Sequence, residues 1–229
     1  MADLREPGPF HFFREMRLPF DFASLPLRAI NLNNAPRGDG QPVMVLPGYL
    51  ADDTSTWVIR AYLDYLGYDV RGWGLGFNRG KVRKLAAALT DQLEEMMAQD
   101  GQSVRLVGQS LGGIIAREIA RQRPYLVDRI ITLGSPVVGG PKYTAFSNVY
   151  RMLTGDHVDN VEQVIKERNR IPIKTPITAI YSRSDGVVAW QACIDDHSPN
   201  VEHVEVSSSH GGMGVNGIVL EVIAERLAA

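Results

Sequence analysis

The chain contains one cysteine, Cys193, so no disulfide can form within it. That absence fits a reducing compartment. No apolar run approaches the ~18 residues that a membrane span requires. Acids and prolines interrupt MADLREPGPF where a secretion leader would be apolar. An excess of one charge is missing too: 24 basic and 26 acidic residues leave a formal net charge of -2. Such a balance gives no reason to expect a nucleic acid or an anionic membrane as partner. Repeats, low-complexity tracts and metal-ligand spacings are absent, and His210 has no second ligand at a helical interval. The expectations are a single domain of 229 residues, cytoplasmic residence and no metal or cofactor.

What is present is 45% hydrophobic residue content, ordinary for a chain with one sizeable core. Short β-branched runs occur at Val43–Leu46, Tyr68–Trp73, Ser103–Val107, Arg129–Leu133, Ile177–Tyr181 and Val201–Val206. Continuous apolar runs of this length predict strands covered on both faces. Helical periodicity fills the intervals, over Thr54–Leu66, Val82–Met97, Ile114–Arg121 and Ile218–Leu227. This alternation predicts an α/β fold with a mostly parallel sheet between two helical layers. Residues 1–35 are expected to form an extension packed on the core, with the phenylalanines of Phe10–Arg17 turned inward. Membrane contact through residues 10–17 is the less favoured reading, because free amphipathic anchors carry more Lys and Arg. Residues 137–176 hold no strand and are expected to form a cap, with helices around Tyr143–Leu153 and Asn160–Arg168.

The segment SVRLVGQSLGGIIAREIAR reads strand, then Gly108-Gln109-Ser110-Leu111-Gly112, then helix. This is G-x-S-x-G in the context that gives it chemical meaning. Glycines two positions either side of the serine allow a tight turn that lifts its hydroxyl to a helix N-terminus, where developing negative charge is favoured. A serine hydroxyl needs a base. Of five histidines, His210 is preferred, because it follows the last strand directly and so reaches the same edge of the sheet. The base needs a carboxylate. Asp185, just past the strand ending at Tyr181, is preferred over Asp195 and Asp196, which are expected to be solvated in the following polar loop. Oxyanion donors are expected at the N–H of Leu111 and in the loop after the first strand, at Tyr49 with Leu50 next. Gly74-Leu75-Gly76-Phe77-Asn78-Arg79-Gly80 imitates a dinucleotide fingerprint, but its spacing is G-x-G-x-x-x-G. It is expected to line the mouth of the site instead. Tyr49, Leu50, Trp73, Phe77, Val137 and Trp190 are the expected apolar wall.

With these residues in hand, the chain resembles the bacterial triacylglycerol lipase/esterase-like branch of the alpha/beta-hydrolase superfamily, from about Pro42 to the C-terminus. The resemblance rests on Leu46-Pro47-Gly48-Tyr49, Gly72 to Gly76, Gly108 to Gly113, Ile131 to Pro136, Tyr181 to Gly186 and Ser209-His210-Gly211. The order Ser110, Asp185, His210 is also the order used by that fold. It implies hydrolysis of a small-molecule carboxylic ester through an acyl-enzyme, with short-to-medium acyl chains favoured and no cofactor. Thioester, amide or acyl-transfer chemistry uses the same apparatus, and a non-catalytic binding member or a peripheral lipid hydrolase are the other readings. One departure stands out. Many lipases carry His-Gly before the oxyanion residue, whereas Pro47-Gly48 stands here, which removes a side chain that braces that loop.

Overall fold

The computed structural model describes residues 11–145 and 158–229. Six parallel strands form one sheet in the order β2-β1-β3-β4-β5-β6. They are β1 (Pro42–Leu46), β2 (Asp69–Gly72), β3 (Val104–Gln109), β4 (Val127–Leu133), β5 (Ile177–Tyr181) and β6 (Val201–Glu205). The four inner strands are the continuous apolar runs, and β1 is buried at every position. Side chains alternate across the sheet. Val43 and Val45 of β1 therefore join a core with Val107, Ile131 and Ile180 on one face, while Met44 and Leu46 join Leu106 and Ile130 on the other.

Helices cover both faces. On the first face lie α1 (Leu18–Leu27), α2 (Ala29–Asn33), α3 (Trp57–Tyr65) and, last in the chain, α7 (Gly217–Leu227). On the second lie α4 (Val82–Asp100) and α5 (Leu111–Gln122), whose Leu89, Leu93, Ile115 and Ile119 are fully buried. α6 (Val158–Asn169) agrees with the helix expected around Asn160–Arg168. The other helix expected in that interval, Tyr143–Leu153, lies largely outside the described residues. Gly140–Tyr143 forms a short 3-10 turn.

The chain leaves β1 for the edge strand β2, then crosses back to place β3 on the other side of β1. Loops leaving β1 and β3 therefore diverge, which opens a crevice at the carboxyl edge of the sheet. Leu46 pairs with Gly108 at that edge, so the turns beginning at Pro47 and Gln109 start side by side.

Residues 11–35 do lie against the domain, but with the opposite face to the one expected. Phe12, Phe13, Phe20 and Phe22 are exposed. The acids point inward instead. Asp21 is 1% exposed and accepts hydrogen bonds from the Ser209 N–H at 3.0 Å, the Ser209 hydroxyl at 2.6 Å and the Asn216 amide at 2.8 Å. Backbone N–H groups left unpaired in the turn after β6 need acceptors, and a carboxylate supplies charge-assisted ones. That requirement outweighs the burial of phenylalanines on this surface.

Asp195 also departs from expectation. Rather than being solvated, it is 3% exposed and binds Arg117 of α5 at 2.6 Å. Burial disfavours its charged form, but the Arg117 guanidinium and the hydrogen bonds from His197 and Ser198 hold its carboxyl down at about 2. Asp195 thus ties the loop after β5 to α5 and is engaged away from any histidine ring donor at its carboxylate. His203 faces the same loop and accepts the Asp195 N–H at 2.9 Å.

Candidate active site

Ser110 sits between β3 and α5 with φ 51° and ψ -117°, one of two non-glycine residues with positive φ among those described. That conformation costs an L-residue on the order of 1–3 kcal/mol and persists only where its surroundings enforce it. Here they do. The Ser110 N–H is held by the Leu133 carbonyl at 2.7 Å. A Cβ on Gly108 would collide with the backbone of Gly112 and Gly113, and one on Gly112 with the Leu46 carbonyl. Strand, turn and helix can approach this closely only with glycine at both positions. Leu111 opens α5, so its N–H has no acceptor within the helix.

His210 follows β6 in a turn that continues into a 3-10 segment, Gly211–Gly214. Its Nδ1 lies 2.7 Å from Asp185 Oδ2. The other oxygen, Asp185 Oδ1, accepts the N–H groups of Val187 and Val188, each at 2.7 Å. A carboxylate so saturated is fixed in orientation and 4% exposed. Burial disfavours the imidazolium, yet the Asp185 charge and hydrogen bond, with the Glu15 charge adding to them, raise the His210 pKa above the ordinary histidine range. Gln109, the residue before Ser110, donates from Nε2 to the His210 carbonyl at 3.1 Å. The loops of Ser110 and His210 are thereby tied together.

Two residues of this region were not legible as site residues from the sequence. The first is Glu15. Its Oε1 accepts the N–H groups of Gly186 and His210, and its Oε2 that of Gly211, all at 2.9 Å. One side chain from the N-terminal segment thus bridges the Asp185 and His210 loops. The second is Asn78, fully buried within the glycine-rich loop that imitates a cofactor fingerprint. Its Nδ2 donates to the Pro47 carbonyl at 3.0 Å and its Oδ1 accepts the Gly80 N–H at 3.2 Å. Its carbonyl takes the Leu50 N–H at 2.8 Å, and its own N–H reaches the Ala51 carbonyl at 2.8 Å. Asn78 therefore braces the turn that the Pro47-Gly48 departure left without a bracing side chain. Leu50, at φ 57°, has its N–H committed to Asn78 and drops out as an oxyanion donor. Replacing Asn78 with alanine is expected to lower the kcat of any hydrolysis at this site about tenfold or more with little change in KM, by loosening this turn. Steady-state kinetics beside a thermal melt would check it, and an unchanged kcat would show that the turn needs no brace.

A cavity of about 600 Å³ opens at Ser110. Tyr49, Leu111, Ile114 and Val187 line it from the core, and Val161, Val164 and Ile165 from α6. Of the expected wall, none of Leu50, Trp73, Phe77, Val137 or Trp190 lines this space. Trp73 is fully buried, with its indole N–H on the Gly76 carbonyl at 2.9 Å. Val137 is buried beside the Asn169 amide, which donates to its carbonyl. Trp190 stacks on Tyr181 beneath the Arg183 guanidinium. Leu50 and Phe77 project into solvent. Aromatic residues near the motif in sequence are not those near it in space, because a helix some fifty residues further along closes the cavity. Gly80 is the member of the glycine-rich loop's three glycines that lines it. No cluster of metal-ligating side chains occurs among the described residues.

A tight strand-to-helix turn between β3 and α5, beside an Asp–His pair at the same edge of a parallel sheet, is the arrangement of the alpha/beta-hydrolase fold. Solved structures share the fold at low identity. A lipase, BlEst2, from Bacillus licheniformis matches at 16% identity and a TM-score of 0.63, over 85% of this chain and 94% of that one. Est1E of Butyrivibrio proteoclasticus, solved with ferulic acid bound, matches at 12% and 0.62, over 83% and 87%. An alpha/beta superfamily hydrolase from Oenococcus oeni matches at 16% and 0.61, over 84% and 94%. The chain belongs to the PGAP1-like alpha/beta domain family, whose model matches residues 60–214. A search of curated proteins finds no match to this sequence.

Proposed function

We propose that this chain is a serine hydrolase that cleaves carboxylic esters through an acyl-enzyme. Ser110 is the nucleophile, His210 the general base and Asp185 the residue that orients it. The observation that carries this reading is the 2.7 Å contact between His210 Nδ1 and Asp185, on loops at the edge where Ser110 is held at positive φ. An ionised carboxylate can only accept a hydrogen bond, so Nδ1 carries the proton and Nε2 keeps its lone pair. Nε2 then takes the serine proton as Oγ attacks the ester carbonyl. The oxyanion is received by the Leu111 N–H and the Tyr49 N–H. His210 returns its proton to the leaving alcohol, and water repeats the sequence on the acyl-enzyme.

The aliphatic part of the cavity lining supports an apolar substrate group. Ile114, Val161, Val164, Ile165 and Val187 present branched aliphatic surface next to the nucleophile. That surface suits an apolar acyl group, and short-to-medium chains are the ones we propose.

The test is covalent. A fluorophosphonate probe is expected to add once per chain, with peptide mass spectrometry locating the adduct on Ser110, and p-nitrophenyl butyrate or octanoate should turn over faster than palmitate. Absence of an adduct, or one on another residue, would rule out Ser110 as the nucleophile.

A further inference from the structure

We propose that the cavity at Ser110 takes an ester that also carries an anionic oxygen group, phosphate or carboxylate, read by Lys81, Arg83 and Lys84. This specificity rests on the hydrolase reading for the chemistry at Ser110 and adds to it the charge of the substrate. Four basic residues line the cavity, these three and Arg168, and no acidic residue does so among those described. In the whole chain the balance is the reverse, with 26 acidic residues against 24 basic ones. The charge at the cavity is therefore local. Arg168 lies 3.6 Å from the Glu118 carboxylate, so its charge is already answered within the domain. No ion pair or hydrogen bond engages the side chain of Lys81, Arg83 or Lys84 among the described residues. The first turn of α4 holds no acid. Asp91, the first along that helix, stands seven positions past Lys84, about 10 Å along the axis. Cations in a first turn also oppose the peptide dipoles and weaken the helix where they stand. Helix stability gives no reason for them, and the cavity does.

The loop before α4 fixes where these cations stand. The Val82 N–H donates to the Gly80 carbonyl at 2.8 Å, and the Gly80 N–H to Asn78 Oδ1 at 3.2 Å. Asn78 in turn donates to the Pro47 carbonyl at 3.0 Å, at the head of the turn that carries Tyr49. One brace thus ties the start of α4 to the Tyr49 turn, and both line the cavity together with Ser110. The remaining lining includes the aliphatic Ile114, Val161, Val164 and Ile165. A substrate with an apolar part and an anionic part matches both surfaces. Ammonium and guanidinium groups form charge-assisted hydrogen bonds with phosphate or carboxylate oxygens. Several like charges at the mouth of a cleft also raise the local concentration of an anion.

The experiment compares the full chain with the variants K81S/R83S/K84S and K81R/R83K/K84R, all checked by circular dichroism. In isothermal titration, wild type is expected to bind hexyl phosphate about tenfold or more tightly than hexanol, and K81S/R83S/K84S to bind the two within about twofold of each other. The conservative K81R/R83K/K84R should keep the preference, and high salt should remove most of it. Turnover then places the charge on one side of the ester. Mono-p-nitrophenyl adipate carries it on the acyl group and butyrylglycerol phosphate on the alcohol, and each is compared with its neutral counterpart, p-nitrophenyl hexanoate or monobutyrylglycerol. At least one anionic ester is expected to show the higher kcat/KM, an advantage that K81S/R83S/K84S loses. Equal binding of hexyl phosphate and hexanol by wild type, or a preference that K81S/R83S/K84S keeps, overturns the proposal. So does turnover in which neither anionic ester is favoured. A binding preference that follows the three cations, with no ester turned over at all, supports the anion site and overturns the hydrolase reading alone.

Discussion

Ser110→Ala is expected to lower kcat on p-nitrophenyl esters by on the order of 10⁶-fold, and Asp185→Asn by about 10⁴-fold. The two losses have different causes. On the proposed mechanism, alanine removes the atom that forms the acyl bond, leaving only oxyanion donors and binding to act on water. Asparagine keeps the shape of the acid but can present an amide N–H to His210, which would turn the ring to its other tautomer. It also withdraws the charge that raises the His210 pKa. The base works only when neutral, so in wild type the acid limb of kcat/KM is expected above the ordinary histidine value of about 6.5. In Asp185→Asn the residual activity should have its limb at lower pH. Burial disfavours the imidazolium, and the carboxylate that offsets it is gone. A pH series from 5 to 9 on both proteins, about half a unit apart, gives the comparison. An acid limb at the same pH in both would mean that Asp185 does not set the protonation of the base. Near-wild-type turnover in Ser110→Ala would remove the proposed mechanism altogether.

How far the sequence could be read follows from how local each signal was. Strand β5 has the expected bounds, and β1, β3 and β4 lie within two residues of theirs, because a buried parallel strand shows as an apolar run; β6, an edge strand, ends one residue before its expected bound. The edge strand β2 is shorter than Tyr68–Trp73, since Trp73 leaves the ladder to bury its indole and donate its N–H to Asp53 Oδ1 at 2.9 Å. The places of Ser110, Asp185 and His210 at one edge of the sheet were legible because each lies in the turn that follows a strand. Asn78 was hidden, because its partners are backbone groups at positions 47, 50 and 51, which no spacing pattern relates to it. The cavity wall was hidden for the same reason: α6 is remote in sequence, and its valines read as an ordinary amphipathic helix. The N-terminal segment misled in a particular way. Phenylalanine alternating with Arg and Glu reads as apolar-in and polar-out. Only the folded chain reveals backbone donors at positions 186, 210 and 211 awaiting a carboxylate.

Glu15→Ala is expected to lower kcat by about 10- to 100-fold with KM little changed. The side chain touches neither Ser110 nor the cavity in this structure, so it acts by positioning. Three backbone N–H groups on two loops share its two oxygens. Without them, the turn carrying His210 keeps the Gln109 link and the Asp185 contact but loses its tie to Gly186. A displacement of about 1 Å at the base is enough for a loss of this size. Glu15→Gln separates charge from shape. Its amide oxygen can replace one carboxylate oxygen, but its NH₂ meets an N–H where the other oxygen accepted one. An intermediate kcat is therefore expected. Glu15 is one of the charges that raise the His210 pKa, so both variants should carry the acid limb of kcat/KM to lower pH. That shift is the deciding readout, because a merely destabilised N-terminus would lower the yield of folded protein without moving the titration of the active fraction. An unchanged pH profile together with an unchanged kcat would mean that the N-terminal segment can leave the two loops without consequence for His210.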